Sequence, residues 1–179
     1  MTKILAAIDK YPKKNSFGHD NRARLRAFIL LLRYSGLRIT DATAFDFSKL
    51  DVNRVFLYQA KTGQPVFIPI PPVAVEALDA LRPRGETPFW SGRGTIKSAV
   101  SHWQRVLGNL FKLAGVEDGY AHRFRDTFSV ALLTKAVPIE TVSILLGHAS
   151  IAVTNRHYAP FVRARQVALE DAVRQTWAQ

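Results

Sequence analysis

Cysteine is absent from all 179 residues of the chain. That excludes disulfides and thiolate metal sites, and it fits a reducing compartment. Long apolar runs are missing as well. The N-terminal stretch MTKILAAIDKYPKK has too short an apolar run for a secretory signal, and no segment approaches the roughly 20 apolar residues of a membrane span. A soluble, intracellular protein is expected. The sequence also contains no HExxH zinc motif, no acidic triad of nuclease type and no phosphate loop for ATP, so no metal or other cofactor is expected. There is no low-complexity tract and no internal repeat.

Acidic residues are scarce. Asp and Glu number 14 against 25 Lys and Arg, a net charge of +11, and sixteen of the cations are Arg, whose planar fork suits phosphate. Between Lys3 and Arg38 nine cations face only Asp9 and Asp20, which favours a basic patch over an even scatter. A polyanion is the partner such a balance implies. With 47% hydrophobic residues the chain can bury one real core, so a single domain over 1–179 is expected.

Taken in order, residues 2–10 form a short helix and 10–21 a loop broken by Pro12 and Gly18. Asp20 or Asn21 caps a strong helix whose Leu25, Phe28, Ile29 and Leu32 follow the 3.6 period. Leu30 and Leu31 make it apolar nearly all round, so it belongs at the centre of the domain. Gly36 ends it and Arg38 follows at its mouth. From these residues alone, Arg38 reads as pairing with Asp41 across a turn. Residues 45–70 turn β-branched and aromatic around Lys61-Thr62-Gly63-Gln64, which predicts a small antiparallel sheet of two or three strands with Lys61 at a hairpin. Pro71 and Pro72 start a helix through Leu81, and residues 88–94 form a loop. Thr95 or Ser98 opens a long helix to about Ala114, with Val100, Trp103, Val106, Leu107, Leu110 and Phe111 on its core face.

The densest chemistry lies in 122–158. If 122–135 is helical, His122, Arg125 and Ser129 share one stripe, with Phe124, Phe128, Ala131 and Leu132 roughly opposite. One face would then pack while the other presents His122 and Arg125 together. Pro138 starts a short helix with Ile139, Val142, Leu145 and Leu146 buried, and Gly147 closes it. His148 follows that glycine much as Arg38 follows Gly36. Ser150 caps another short helix that carries Tyr158 near its end. A last helix over 161–177 has Phe161, Ala168, Leu169, Ala172, Val173 and Trp177 on an apolar face.

Read together, SGLRITDA, HRFRDTF, LLGH and RHYAP, in this order and spacing, resemble the motif set of the tyrosine recombinases, the phage integrase family. The match covers essentially the whole chain. The resemblance implies a mainly α fold with a small antiparallel β-sheet (α+β). It implies a catalytic domain that in the family usually follows a helical DNA-binding domain, so the chain is expected to be a fragment. It also implies site-specific cleavage and rejoining of double-stranded DNA through a 3′-phosphotyrosine. In this reading Tyr158 is the nucleophile, Arg38 and Arg125 clamp the phosphoryl oxygens and His122 positions or deprotonates the phenol. His148 donates a hydrogen bond, Lys61 protonates the departing 5′-oxygen and Asp41 orients Arg38. A homo-oligomer is implied, tetrameric on DNA and able to be monomeric when free, with no membrane partner and a cytoplasmic, nucleoid-associated location. Relaxation in the manner of type IB topoisomerases and a noncatalytic DNA-binding regulator are the alternatives. Two departures stand out. Asp126 occupies the place after the second arginine where His is frequent, and the ten residues from His148 to Tyr158 are one more than is common in the family.

Overall fold

The computed structural model describes residues 1–13 and 20–177. Part of the expected loop, residues 14–19, lies outside the described residues, as do the side chains of Ala168 and Ala172, assigned above to an apolar face. Eight α-helices and one three-stranded antiparallel sheet make up the described chain, the mainly α, α+β architecture expected. The centre is helix α2 (Asn21–Ser35), preceded by α1 (Thr2–Ile8). Asp20 caps α2, its carboxylate accepting from the amides of Arg22 and Ala23 at 2.8 and 3.1 Å. Leu25 and every residue from Ala27 through Leu32 are buried, so the nearly uniform apolar pattern has the physical cause inferred for it. Around α2 pack α3 (Ile39–Thr43), α4 (Pro72–Asp79) and α6 (His122–Thr134).

The sheet joins β1 (Leu50–Asp51), β2 (Arg54–Tyr58) and β3 (Pro65–Pro69) in the order β1-β2-β3. Val55 pairs with Ile68 and Leu57 with Val66, which puts these four on the buried face, while Arg54, Phe56, Tyr58 and Phe67 face outward. Helix α5 (Ile96–Leu113) starts at Thr95, whose hydroxyl accepts from the Ser98 amide at 3.2 Å, and buries Trp103, Leu107, Leu110 and Phe111. Val106 is partly buried against the same core, and Val100 does not reach it. Helix α7 (Ile139–Leu145) packs on β3, and α8 (Ile151–Gln175) packs on α6 and α7. Among the described residues no helix is long and apolar enough to cross a membrane.

Two expectations are corrected. Helix α6 does not divide into a packing face and a presenting face. Arg125 and Ser129 are buried together with Phe124, Phe128 and Leu133, because α8 and the ends of α2 and α7 close over the stripe that reads as polar, and the exposed residues are His122, Arg123, Thr127 and Thr134. Nor does the chain break between a short helix carrying Tyr158 and a last helix from 161. Helix α8 runs unbroken for 25 residues through Pro160. Proline removes one N–H from the ladder, but Pro160 and Arg156, whose carbonyl loses its partner, are both exposed, so water can satisfy that oxygen.

Gly36 ends α2 in the left-handed conformation, φ 62°, and a Cβ there would lie 2.5 Å from Cδ1 of Phe128. Gly36→Ala is therefore expected to lower stability by more than about 1 kcal/mol, read as a fall in the urea midpoint at unchanged slope.

Candidate active site

The turn after Gly36 sets Arg38 at the N-cap of α3. Its Nη1 is buried and has no hydrogen-bond partner. Burial pushes the guanidinium below its ordinary pKa, and nearby Asp41 pushes it back up. Asp41 does not hold Arg38 by an ion pair, which corrects both the turn-pairing and the orienting role read from the sequence. Its Oδ1 accepts the Ala60 amide at 2.9 Å, and its Oδ2 is buried without a partner. The carboxylate is nearly fully buried and turns to the amide because the chain leading into the β2–β3 loop supplies an unpaired donor there. Asp41 thus anchors the loop that carries Lys61, and its effect on Arg38 is through space.

Arg125 is the largest fully buried side chain, 1% exposed. Its Nη1 donates to the Gly36 carbonyl and its Nη2 to the Leu146 carbonyl, each at 2.7 Å. These oxygens stand at the C-terminal ends of α2 and α7, where helix carbonyls lack partners. Burial, then the neighbouring Arg38, lower the Arg125 pKa to about 10, and Tyr158, Asp41 and Asp126 counter them. It stays protonated at neutral pH.

Gly147, at φ 58°, turns the chain out of α7 and presents His148. Here Gln59 reaches across, its Nε2 donating to the Leu146 carbonyl at 2.7 Å, and Thr62 Oγ1 donates to the Gly147 carbonyl at 3.0 Å. The β2–β3 loop is thereby pinned beside the turn. Exposed Lys61, at the tip of that loop, lines a cleft of about 480 Å³ together with Arg38, Gln104, Tyr120 and His122.

His148 Nδ1 lies 2.7 Å from Thr154 Oγ1. Burial, then the charges of Arg125 and Arg38, lower the His148 pKa to about 4, so the ring is neutral at pH 7. Thr154 is wholly buried, and this is the single hydrogen bond found for its hydroxyl among the described residues. A buried hydroxyl proton needs an acceptor, so Thr154 donates to Nδ1 and the ring proton resides on Nε2. His148 is thus poised as a neutral donor.

Tyr158 projects from α8 onto α6 and is 4% exposed. Its hydroxyl donates to Asp126 Oδ1 at 3.0 Å. Burial raises its pKa, as does Asp126, while Ser129 and Arg125 act in the opposite sense. His122 stands at the start of α6 with its ring 54% exposed, Nε2 3.8 Å from the same Asp126 oxygen. Its pKa is lowered, first by burial and then by Arg125, Arg38 and His157 against the pull of Asp126.

The fold therefore brings Arg38, Lys61 and His122 to one cleft; Arg38 acts through space on Arg125 and His148, and Tyr158 meets this group through Arg125 and Asp126. His122 makes no hydrogen bond to the phenol; Asp126 occupies that position. Sequence reasoning missed Gln59 and Thr154 as holders of the site. Gln59 bonds across 87 residues, which no local pattern reveals. Thr154 lies six residues beyond His148 and could have been singled out as a buried hydroxyl within reach of a ring.

A family model described as the phage integrase family matches residues 1–162. A tyrosine recombinase XerD from Mycobacterium leprae is 33% identical over 200 aligned positions, which cover 99% of this chain and 60% of that relative. Among solved structures, that of XerA recombinase is similar with a TM-score of 0.71 at 20% identity, covering 99% of this chain and 63% of the other. That of XerH recombinase in a post-cleavage complex with a palindromic difH substrate is similar with a TM-score of 0.71 at 21% identity, covering 99% and 51%. The chain thus spans about three-fifths of the length of the first of these relatives.

Two outcomes follow from this geometry. Arg125→Met takes the side-chain donor from the buried Gly36 carbonyl and one of two from the Leu146 carbonyl, and is expected to cost about 3 kcal/mol in chemical unfolding. His148 is held near 4 in the fold against an ordinary 6.5. The unfolded chain therefore takes up its proton first as pH falls, and stability is lost from about 6.5 down to about 4. The slope of the unfolding free energy over that window should be visibly flatter in His148→Asn.

Proposed function

The chain belongs to the phage integrase family, and from that premise we propose that it breaks and rejoins double-stranded DNA by transesterification at Tyr158, as the catalytic domain of a site-specific recombinase. The phenolic oxygen attacks a backbone phosphorus. A 3′-phosphotyrosine bond forms and the bond to the 5′-oxygen breaks, releasing a 5′-hydroxyl. One phosphoester replaces another, so neither nucleotide nor metal enters the balance. Rejoining is the same displacement run backward, with the free hydroxyl attacking the phosphotyrosine.

The observation that carries this reading is the buried, unpartnered Nη1 of Arg38 at a cleft shared with Lys61 and His122. A buried guanidinium nitrogen without an acceptor is costly, and a phosphoryl oxygen would relieve it. Arg125 spends one N–H of each terminal nitrogen on carbonyls. A guanidinium has five N–H groups, which leaves others for a second phosphoryl oxygen. Charged hydrogen bonds of this kind are worth roughly 1.5 to 3 kcal/mol each, and they gain most as charge builds on the oxygens in the transition state. His148, neutral and with its proton on Nε2, adds a third donor. Lys61, exposed on its loop, serves as the acid for the departing 5′-oxygen. The phenol is 4% exposed, so a shift of the first turns of α8 that admits the phosphate beside it precedes attack.

Double-stranded DNA is the partner that the charge of +11 favours. Exposed Phe161, Val167, Leu169 and Val173 on α8, with Trp177 just past its end, suit contact between protomers, in keeping with a tetramer on DNA. Such a protein acts in the cytoplasm, at the nucleoid.

The test is incubation of the chain with nicked duplexes carrying randomised half-sites, followed by denaturing electrophoresis. Parent protein is expected to give a protein–DNA adduct, and Tyr158→Phe none. Arg38→Ala should lower adduct formation at least a hundredfold while DNA retention in a gel-shift assay falls less than tenfold. Equal losses in both would remove Arg38 from the transition state.

A further inference from the structure

The nucleophile proposed above needs somewhere to send its proton, and the side chain that meets it is not a histidine. Tyr158 Oη donates to Asp126 Oδ1 at 3.0 Å. The imidazole of His122 is 3.8 Å from that same oxygen, and its ring is more than half exposed. Asp126 adjoins Arg125 on α6, so the acceptor and the buried guanidinium ride on one rigid element. Ser129, one turn further along, donates to the Arg125 carbonyl at 2.9 Å and lies beside the phenol as well.

We propose that Asp126 is the catalytic residue that takes the Tyr158 proton during strand cleavage and returns it during rejoining. The inference rests on the transesterification reading above. As the phenolic oxygen bonds to phosphorus, its O–H electrons become a lone pair on that oxygen and the proton passes to Asp126 Oδ1. The carboxylate becomes a carboxylic acid while the 5′-oxygen leaves and gains a proton from Lys61. In rejoining, the acid protonates the departing phenolate oxygen and the 5′-hydroxyl surrenders its proton to Lys61.

A carboxylate beside a neutral phenol does not generate free tyrosinate, because its negative charge opposes that ionisation. It removes the proton late, once the forming P–O bond has made the O–H strongly acidic, as a catalytic aspartate does for a hydroxyl in protein kinases. His122, 3.8 Å from the same carboxylate oxygen and more than half exposed, is the group through which the proton can reach solvent. Charged or titratable groups facing Asp126 are His122, Arg125 and Tyr158.

The experiment measures single-turnover adduct formation on the randomised nicked duplexes with parent, Asp126→Asn and Asp126→His, each checked for folding by its thermal midpoint. Asparagine keeps the shape and an acceptor oxygen but cannot take a proton. It should slow adduct formation about 10² to 10⁴-fold, with non-covalent DNA binding, measured in the Tyr158→Phe background, unchanged. Histidine should restore part of the rate and add an inflection near pH 6 to 7 that the parent lacks. An Asp126→Asn loss below tenfold, or a gain, which would mark the contact as a mere latch on the phenol, overturns the proposal. So does an Asp126→His profile with no new inflection. If the parent itself gives no Tyr158-dependent adduct, the transesterification reading falls and this inference with it. A normal parent adduct with an undiminished Asp126→Asn rate rejects the Asp126 role alone.

Discussion

One guanidinium holds the site together. Helices α2 and α7 end facing each other across Arg125, which donates to the last carbonyls of both. A helix C-terminus carries about half a negative charge in unsatisfied carbonyls, and two such ends converging in a dry interior would repel. A cation between them removes the repulsion and satisfies the oxygens, which offsets the several kcal/mol that burying an ion costs. The consequence is positional. Arg38 follows the first helix end and His148 the second, so the same contact that makes burial tolerable fixes where both groups emerge. The Leu146 carbonyl also accepts from Gln59, and this ties the loop bearing Lys61 to the same point.

Concentrating cations here has a cost that falls on the neighbours. The charge of Arg38 is one of the causes that lower the pKa of Arg125, and together the two arginines help burial drive His148 down to about 4. A histidine that cannot gain a proton in this field acts only as a neutral hydrogen-bond partner, and the Thr154 hydroxyl sets which nitrogen keeps the hydrogen. The negative counterweights are two carboxylates, and each is committed elsewhere. Asp41 takes the Ala60 amide and Asp126 takes the Tyr158 hydroxyl. Neither closes an ion pair with an arginine, so the Nη1 hydrogens of Arg38 stay available to a phosphate oxygen.

Much of this was legible in the sequence because it is local. A glycine at a helix end followed within two residues by a polar side chain marks both Gly36 with Arg38 and Gly147 with His148, and both glycines adopt positive φ. The buried central helix and the hairpin bearing Lys61 also follow from patterns within a dozen residues. What escaped was set by other elements. Helical periodicity put Arg125 and Ser129 on a polar, presenting face, and only the packing of α8 and of the ends of α2 and α7 makes that face interior. The stretch read as a short helix near Tyr158 and another from 161 is one helix, because whether the N–H that Pro160 lacks matters depends on water reaching the freed carbonyl, which is a surface property. The partner of Tyr158 lies 32 residues away, and the acid read as orienting Arg38 turned to an amide 19 residues on.

The placement of Tyr158 then reads as a balance of two demands on one oxygen. In the interior its phenol is shielded from water and holds its proton, since burial and the Asp126 charge both disfavour ionisation. Arg125, close enough to pull the other way, keeps that preference from becoming absolute. Among the described side chains of the helix carrying the phenol, Thr154 and Tyr158 in its first turns are buried, while beyond Pro160 Phe161, Leu169 and Val173 face solvent. Two of the side chains that seat it on α6 and α7 are the groups that bond His148 and Asp126. Any shift of this helix would act on the imidazole and the phenol together. Coupling of that kind needs no dedicated switch, because one element supplies both contacts.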